Sequence, residues 1–132
     1  MCIRDRLVTV AIIGILASIA IPQFADYKKR AFNSRAQSDM RNLITSQEAY
    51  YSDNEEYVSC GSSMECEALL PGFNASEGVE IWAEEDGDGY EASSAHCKGD
   101  KGYSFQSIWE GQSDYNKIRS SKGDFEDFCE DN

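Results

Sequence analysis

Residues 7–24 read LVTVAIIGILASIAIPQF, and the rest of the chain hangs on what this stretch is. Leu7 to Ile21 carries no charge, and only Thr9, Gly14 and Ser18 interrupt its hydrocarbon surface. As a helix it spans about 22 Å, short of the roughly 30 Å hydrocarbon core of a bilayer. Arg4 and Arg6 precede it, and Ser18 and Ala20 form a small-x-small pair. Length and flanks therefore suit a signal-peptide core. The residues beyond Ile21 point elsewhere. Phe24, Tyr27, Ala31, Ala36, Met40, Leu43, Gln47 and Tyr50 recur at helical spacings, one face of an amphipathic helix. No turn signal intervenes before SDNEE at Ser52 to Glu56. The spacing predicts one helix of about 50 residues, roughly 75 Å long. Pro22 lacks an amide donor and crowds the carbonyl of Ser18, so it should kink that helix. Gly14 is a second soft point.

The 132-residue chain has one-domain length and a net charge of -12, unevenly spread. Residues 1–52 hold seven Lys/Arg and four Asp/Glu, a net of +3. Residues 53–132 hold five and twenty, a net of -15. The chain thus divides into a stem, 1–52, and an acidic head, 53–132. Such a head is soluble and repels phosphates, so no nucleic-acid partner is expected for it. Cys2 opens the chain, while Cys60, Cys66, Cys97 and Cys129 lie in the head. Four cysteines behind an export-type segment suggest two disulfides in an oxidising compartment. A zinc site is the rival reading, but there is no C-x-x-C pair and the single histidine, His96, directly precedes Cys97. Three pairings are open. Cys60 with Cys66 and Cys97 with Cys129 are favoured, because the first brackets a short loop and the second pins the tail.

The stretch LVTVAIIGILASIAIPQFADYKKRAFNSRAQSDMRN resembles the N-terminal helix of type IV pilins and their pseudopilin relatives. AIIGILA followed by IAIPQF is the specific part, and the likeness runs from Leu7 to about Tyr51. It implies an α+β pilin fold: a long N-terminal helix kinked at Pro22 and packed on a small antiparallel sheet head. Residues 7–23 would be the membrane and filament-core segment and 24–52 the amphipathic part. The family's helix begins close to F-T-L-I-E-L, where this chain reads MCIRDR. Six more apolar residues would bring the run to about 31 Å, enough to cross a bilayer. MCIRDR is therefore expected to be a non-native start that replaces a leader, its cleavage site and the first mature residues. Peptidase processing and N-methylation, both implied by the resemblance, are not legible without that site. Asp5 stands where the family carries a carboxylate that pairs with a neighbour's N-terminal amine, a costly charge in lipid unless paired. Arg4 and Arg6 flank it and neutralise it locally.

In the head, Ser52 to Gly78 reads as loop with a short helix near Glu65 to Leu70, punctuated by Pro71-Gly72. VEIWAE alternates, EDGDG is a hairpin turn, and YEASSAH and GYSFQSIW are further strands either side of KGDKG. Phe32, Tyr50, Ile81, Trp82, Tyr103 and Phe105 are core or near-core candidates. Asp86 and Asp88 are only weak calcium candidates beside the turn reading, since an EF-hand needs more oxygens than DGDG offers. Asp124, Glu126, Asp127, Glu130 and Asp131 read as a solvated tail, and Asn74-Ala75-Ser76 matches a glycosylation sequon. No cofactor is implied, and no catalytic constellation emerges. His96 and Cys97 are adjacent, so on a strand they point to opposite faces.

The resemblance implies a structural subunit of a type IV pilus, a homo-oligomeric helical filament serving adhesion or motility. The subunit would be held in the bacterial inner membrane, meet the pilus assembly machinery, and end in an extracellular pilus. The alternative is a pseudopilin of type II secretion, forming a periplasmic pseudopilus; the DPWG-type stretch of the major pseudopilin is absent. A third reading is a conductive filament. It rests on Phe24, Tyr27, Phe32, Tyr50, Tyr51 and Tyr57, at positions resembling those of conductive short pilins.

Overall fold

The computed structural model describes residues 2–87, 89–107 and 119–122. Helix α1 runs unbroken from Ile3 to Asn54, with Pro22 inside it. It is the one helix among the described residues long and apolar enough to cross a membrane. Helix α2, Ser63–Leu69, follows a short loop. The Ser62 hydroxyl caps it by accepting from the Glu65 amide at 3.3 Å, and Glu65 reaches back to the Gly61 amide at 2.8 Å. The first bond satisfies a donor that a helix start leaves orphaned, and the second ties down the residue before the cap.

Strands β1 (Val79–Asp86), β2 (Gly89–His96), β3 (Lys101–Ser107) and β4 (Arg119–Lys122) form one antiparallel sheet in chain order. β4 was not foreseen: RSSK has no alternation of apolar and polar residues, and its backbone pairs with β3 from Lys101↔Lys122 to Ser104↔Arg119. The expected alternation sets the sheet's inner face. Ile81, Ser94 and Tyr103 share one cross-strand row, and Ala83, Ala92 and Phe105 the next. Except for Ser94, these belong to one apolar cluster with Ala36, Met40 and Leu43 of α1.

Phe32 and Tyr50 are half-buried, while Ile81, Tyr103 and Phe105 are buried. Trp82 is a correction. It is 36% exposed, because the period of two that buries Ile81 and Ala83 turns Trp82 to the outer face. The core-facing stripe of α1 also begins later than expected. Phe24, Tyr27 and Ala31 are exposed, and burial starts at Asn33 and recurs at Ala36, Met40, Leu43 and Gln47. The sheet spans only the helix's second half, so the earlier part of the stripe has no described residue of the head to pack on.

Candidate functional site

Two features of the molecule can carry function: the bare front of α1 and the junction that fixes its rear to the head. The front is defined by what does not cover it. Every large apolar side chain from Ile3 to Phe24 is more than half exposed. Ser18 turns its hydroxyl onto the Ile15 carbonyl at 2.7 Å, and Thr9 does the same to Asp5 at 3.0 Å. Both polar groups in the run are thus satisfied within the helix, which suits it to an apolar surrounding. A Cβ at Gly14 would meet nothing within 4 Å. Asp5 lies exposed in the helix's first turn.

The junction is built on polar side chains that α1 sends into the head. Asn33 donates to the Asp100 carboxylate at 2.6 Å and accepts from the amides of Asp100 and Lys101 at 3.1 and 3.2 Å. Asp39 accepts from the amide and hydroxyl of Ser76 at 2.7 and 3.1 Å. Gln47 exchanges two bonds with the backbone of Val58, at 2.7 and 2.9 Å, as a strand neighbour would. Ser94 donates to the Ala36 carbonyl at 2.9 Å. Asn33, Asp39, Gln47 and Ser94 are all buried, so each bond forms where losing it leaves an unpaired polar group. Sequence reasoning placed only Gln47 on this face. The signal for Asn33 was its position one turn ahead of Ala36 on the same stripe.

His96 is 2% exposed and stacks on Phe32 with ring centroids 4.3 Å apart. Its Nδ1 accepts from the Lys98 amide at 3.0 Å. Burial, then Arg35 and Lys98, hold its pKa below the usual 6.5, although the Glu77 backbone and Asp39 pull the other way. The ring is therefore neutral at pH 7. Gly78 comes close beside it: with φ +80°, a Cβ there would lie 2.9 Å from His96 Cε1. Phe32, Arg35, Met64, Glu77, His96 and Lys98 line part of an open groove of about 620 Å³ at this end of the head.

Cys60 and Cys66 are joined by a disulfide, with Cα atoms 5.1 Å apart. Cys97 is disulfide-bonded too, which removes any thiolate nucleophile beside His96. Cys129 and the acidic tail lie outside the described residues, as does Asp88, the second calcium candidate. Asp86 is exposed, and no group of three or more metal-ligating residues occurs among the described residues. In the sequon, Asn74 is exposed while the Ser76 hydroxyl is engaged by Asp39. Of the aromatic residues on and beside the stem, Tyr51 stacks on Tyr57 at 4.5 Å and Tyr57 meets Tyr90 at 4.7 Å. Phe24 and Tyr27 stand apart from that cluster, exposed on the bare part of α1.

No family model matches the chain. The chain is 41% identical over 53 residues to the type IV major pilin protein PilA of Myxococcus xanthus, covering 40% of this chain and 24% of that protein. It is 35% identical over 91 residues to a fimbrial protein of Pseudomonas aeruginosa, covering 63% of this chain and 58% of that one. Against the type IV major fimbrial protein FimA of Dichelobacter nodosus, identity is 41% over 56 residues, 42% of this chain and 36% of the relative. The chain thus spans between about a quarter and three fifths of these relatives. With a bare apolar stem pinned by its rear half to an antiparallel sheet, the chain is similar in sequence to these type IV pilin and fimbrial proteins and has an α+β, pilin-like arrangement.

Proposed function

We propose that this chain is a structural subunit of a type IV pilus. One observation carries the reading: the apolar front of α1 has none of its most apolar window buried, while the rear is bonded into the head at four polar points. A single copy cannot bury such a surface. A bilayer can do so before assembly, and a bundle of identical helices can do so afterwards. In this reading Leu7 to Gln23 anchors the subunit in the bacterial inner membrane, where the pilus assembly machinery finds it. The segment then becomes filament core, with Gly14 and Pro22 as its soft points and the acidic head outside. A disulfide from Cys97 to Cys129 would pin the tail of that head. The relatives carry pilin and fimbrial names, so the secretion pseudopilin is not favoured.

Electron microscopy of cells lacking the gene tests this. Filaments should vanish and return on complementation, with antibody to the head decorating their length. Unaltered filaments would sink the reading, and exoproteins retained by the deletion strain would point to secretion instead.

A further inference from the structure

Between the apolar run and the head, α1 carries a band that no other described residue covers. Phe24 and Tyr27 are 60% and 71% exposed. Lys28, Lys29 and Arg30 come next, all exposed, with Lys28 Nζ 4.9 Å from the centre of the Phe24 ring. No carboxylate among the described residues forms an ion pair with these three cations. Asp26 is the one acidic residue within the band.

The opposite charge collects at the other end of the molecule. Asp53, Glu55 and Glu56 are exposed where α1 stops. The Glu85 amide donates to Ser59 Oγ at 2.9 Å, and Cys60 bridges Ala83. These contacts bring the end of β1 alongside, with Glu84, Glu85 and Asp86 all exposed. Lys29 and Asp53 are separated by an axial rise of about 36 Å along one continuous helix, so the two charge sets cannot meet within one copy.

We propose that the Phe24–Arg30 band of one copy receives the acidic far end of the head of a second copy, an inference that rests on the pilus reading. The two surfaces differ, so the contact is heterologous: each copy offers a band to one neighbour and an acidic end to another, and the series does not close on itself. Like-charged acidic ends repel one another, which disfavours copies at the same level and favours a stagger of about 36 Å. The aromatic pair supplies apolar contact area, and the cations set register and steer encounter.

The test is a charge swap in cells, reading sheared filaments and the membrane-held subunit pool separately. The variant Lys28→Glu/Lys29→Glu/Arg30→Glu alters exposed positions outside the head. It should keep its membrane pool and lose filaments by about tenfold or more, the scale of like-charge juxtaposition. Adding Glu84→Lys/Glu85→Lys/Asp86→Lys to the same chain should restore filaments, and those three changes alone should be defective. Filaments at the parental level in the stem variant, or no recovery in the swapped chain, would overturn the proposal. So would a membrane pool that falls in step with filaments, which would assign the band to anionic lipid headgroups. If the parent chain itself forms no filaments, the subunit reading fails first and this inference falls with it.

Discussion

Tyr90 buries its hydroxyl in the core with no hydrogen-bond partner among the described residues. Burial, with Glu48 and Tyr57 nearby, raises its pKa, so the phenol stays neutral. Its ring is packed between Tyr57 and Phe105, which explains why the residue is aromatic but not why it is a phenol. Tyr90→Phe removes an unpaired polar atom and no bond, so urea unfolding should show stability unchanged or raised by up to about 1 kcal/mol. A loss of about 2 kcal/mol would reveal a partner for the hydroxyl. His96 makes a prediction about pH. Its folded pKa lies below 6.5, so the unfolded chain binds more protons as the medium acidifies. Its contribution to stability is complete above the ordinary pKa and is lost as pH falls from there toward the folded value. Unfolding free energy in detergent should therefore decline between pH 7 and 5. In His96→Gln the slope over that window should flatten; an unchanged slope would remove His96 as its cause.

At the scale of elements, α1 stops at Glu55, whose φ of 60° is left-handed and whose amide returns to the Tyr51 carbonyl at 2.8 Å. A side chain with a Cβ is disfavoured there and glycine is not. Glu55→Gly should raise unfolding free energy by roughly 0.5–1 kcal/mol; a fall in chemical denaturation would contradict this account of the helix end. The helix itself was legible from period and the missing turn signal, as were three strands from alternation and DGDG. The fourth strand was not, since RSSK pairs through its backbone and its side chains carry no pattern. Nor was the junction legible. Asn33, Asp39 and Gln47 look like ordinary polar helix residues until the loops that present Asp100, Ser76 and Val58 to them are in place.

At the scale of the whole molecule, the stem's front and the head are joined by covalent continuity of one helix, and nothing before Phe32 is buried against the head. A chain beginning at Lys28 should therefore be soluble and monomeric in sedimentation. Its unfolding free energy should lie within about 1 kcal/mol of the full chain's, because it loses no buried contact. A larger loss would show that the front of α1 supports the head.

The sequence by itself determined the long helix, its uncharged run, the charge reversal between stem and head, and the likeness to the pilin family. Each of these is local or summed along the chain, so order and composition suffice to state it. Only the tertiary structure decided where the stripe on α1 starts to be buried, because that depends on how far the sheet reaches. It also decided that the exposed carboxylates of residues 53–56 and 84–86 share one end of the head, at the far end of α1 from the cations of the stem. Residues distant in sequence gain a common address only when the chain has folded.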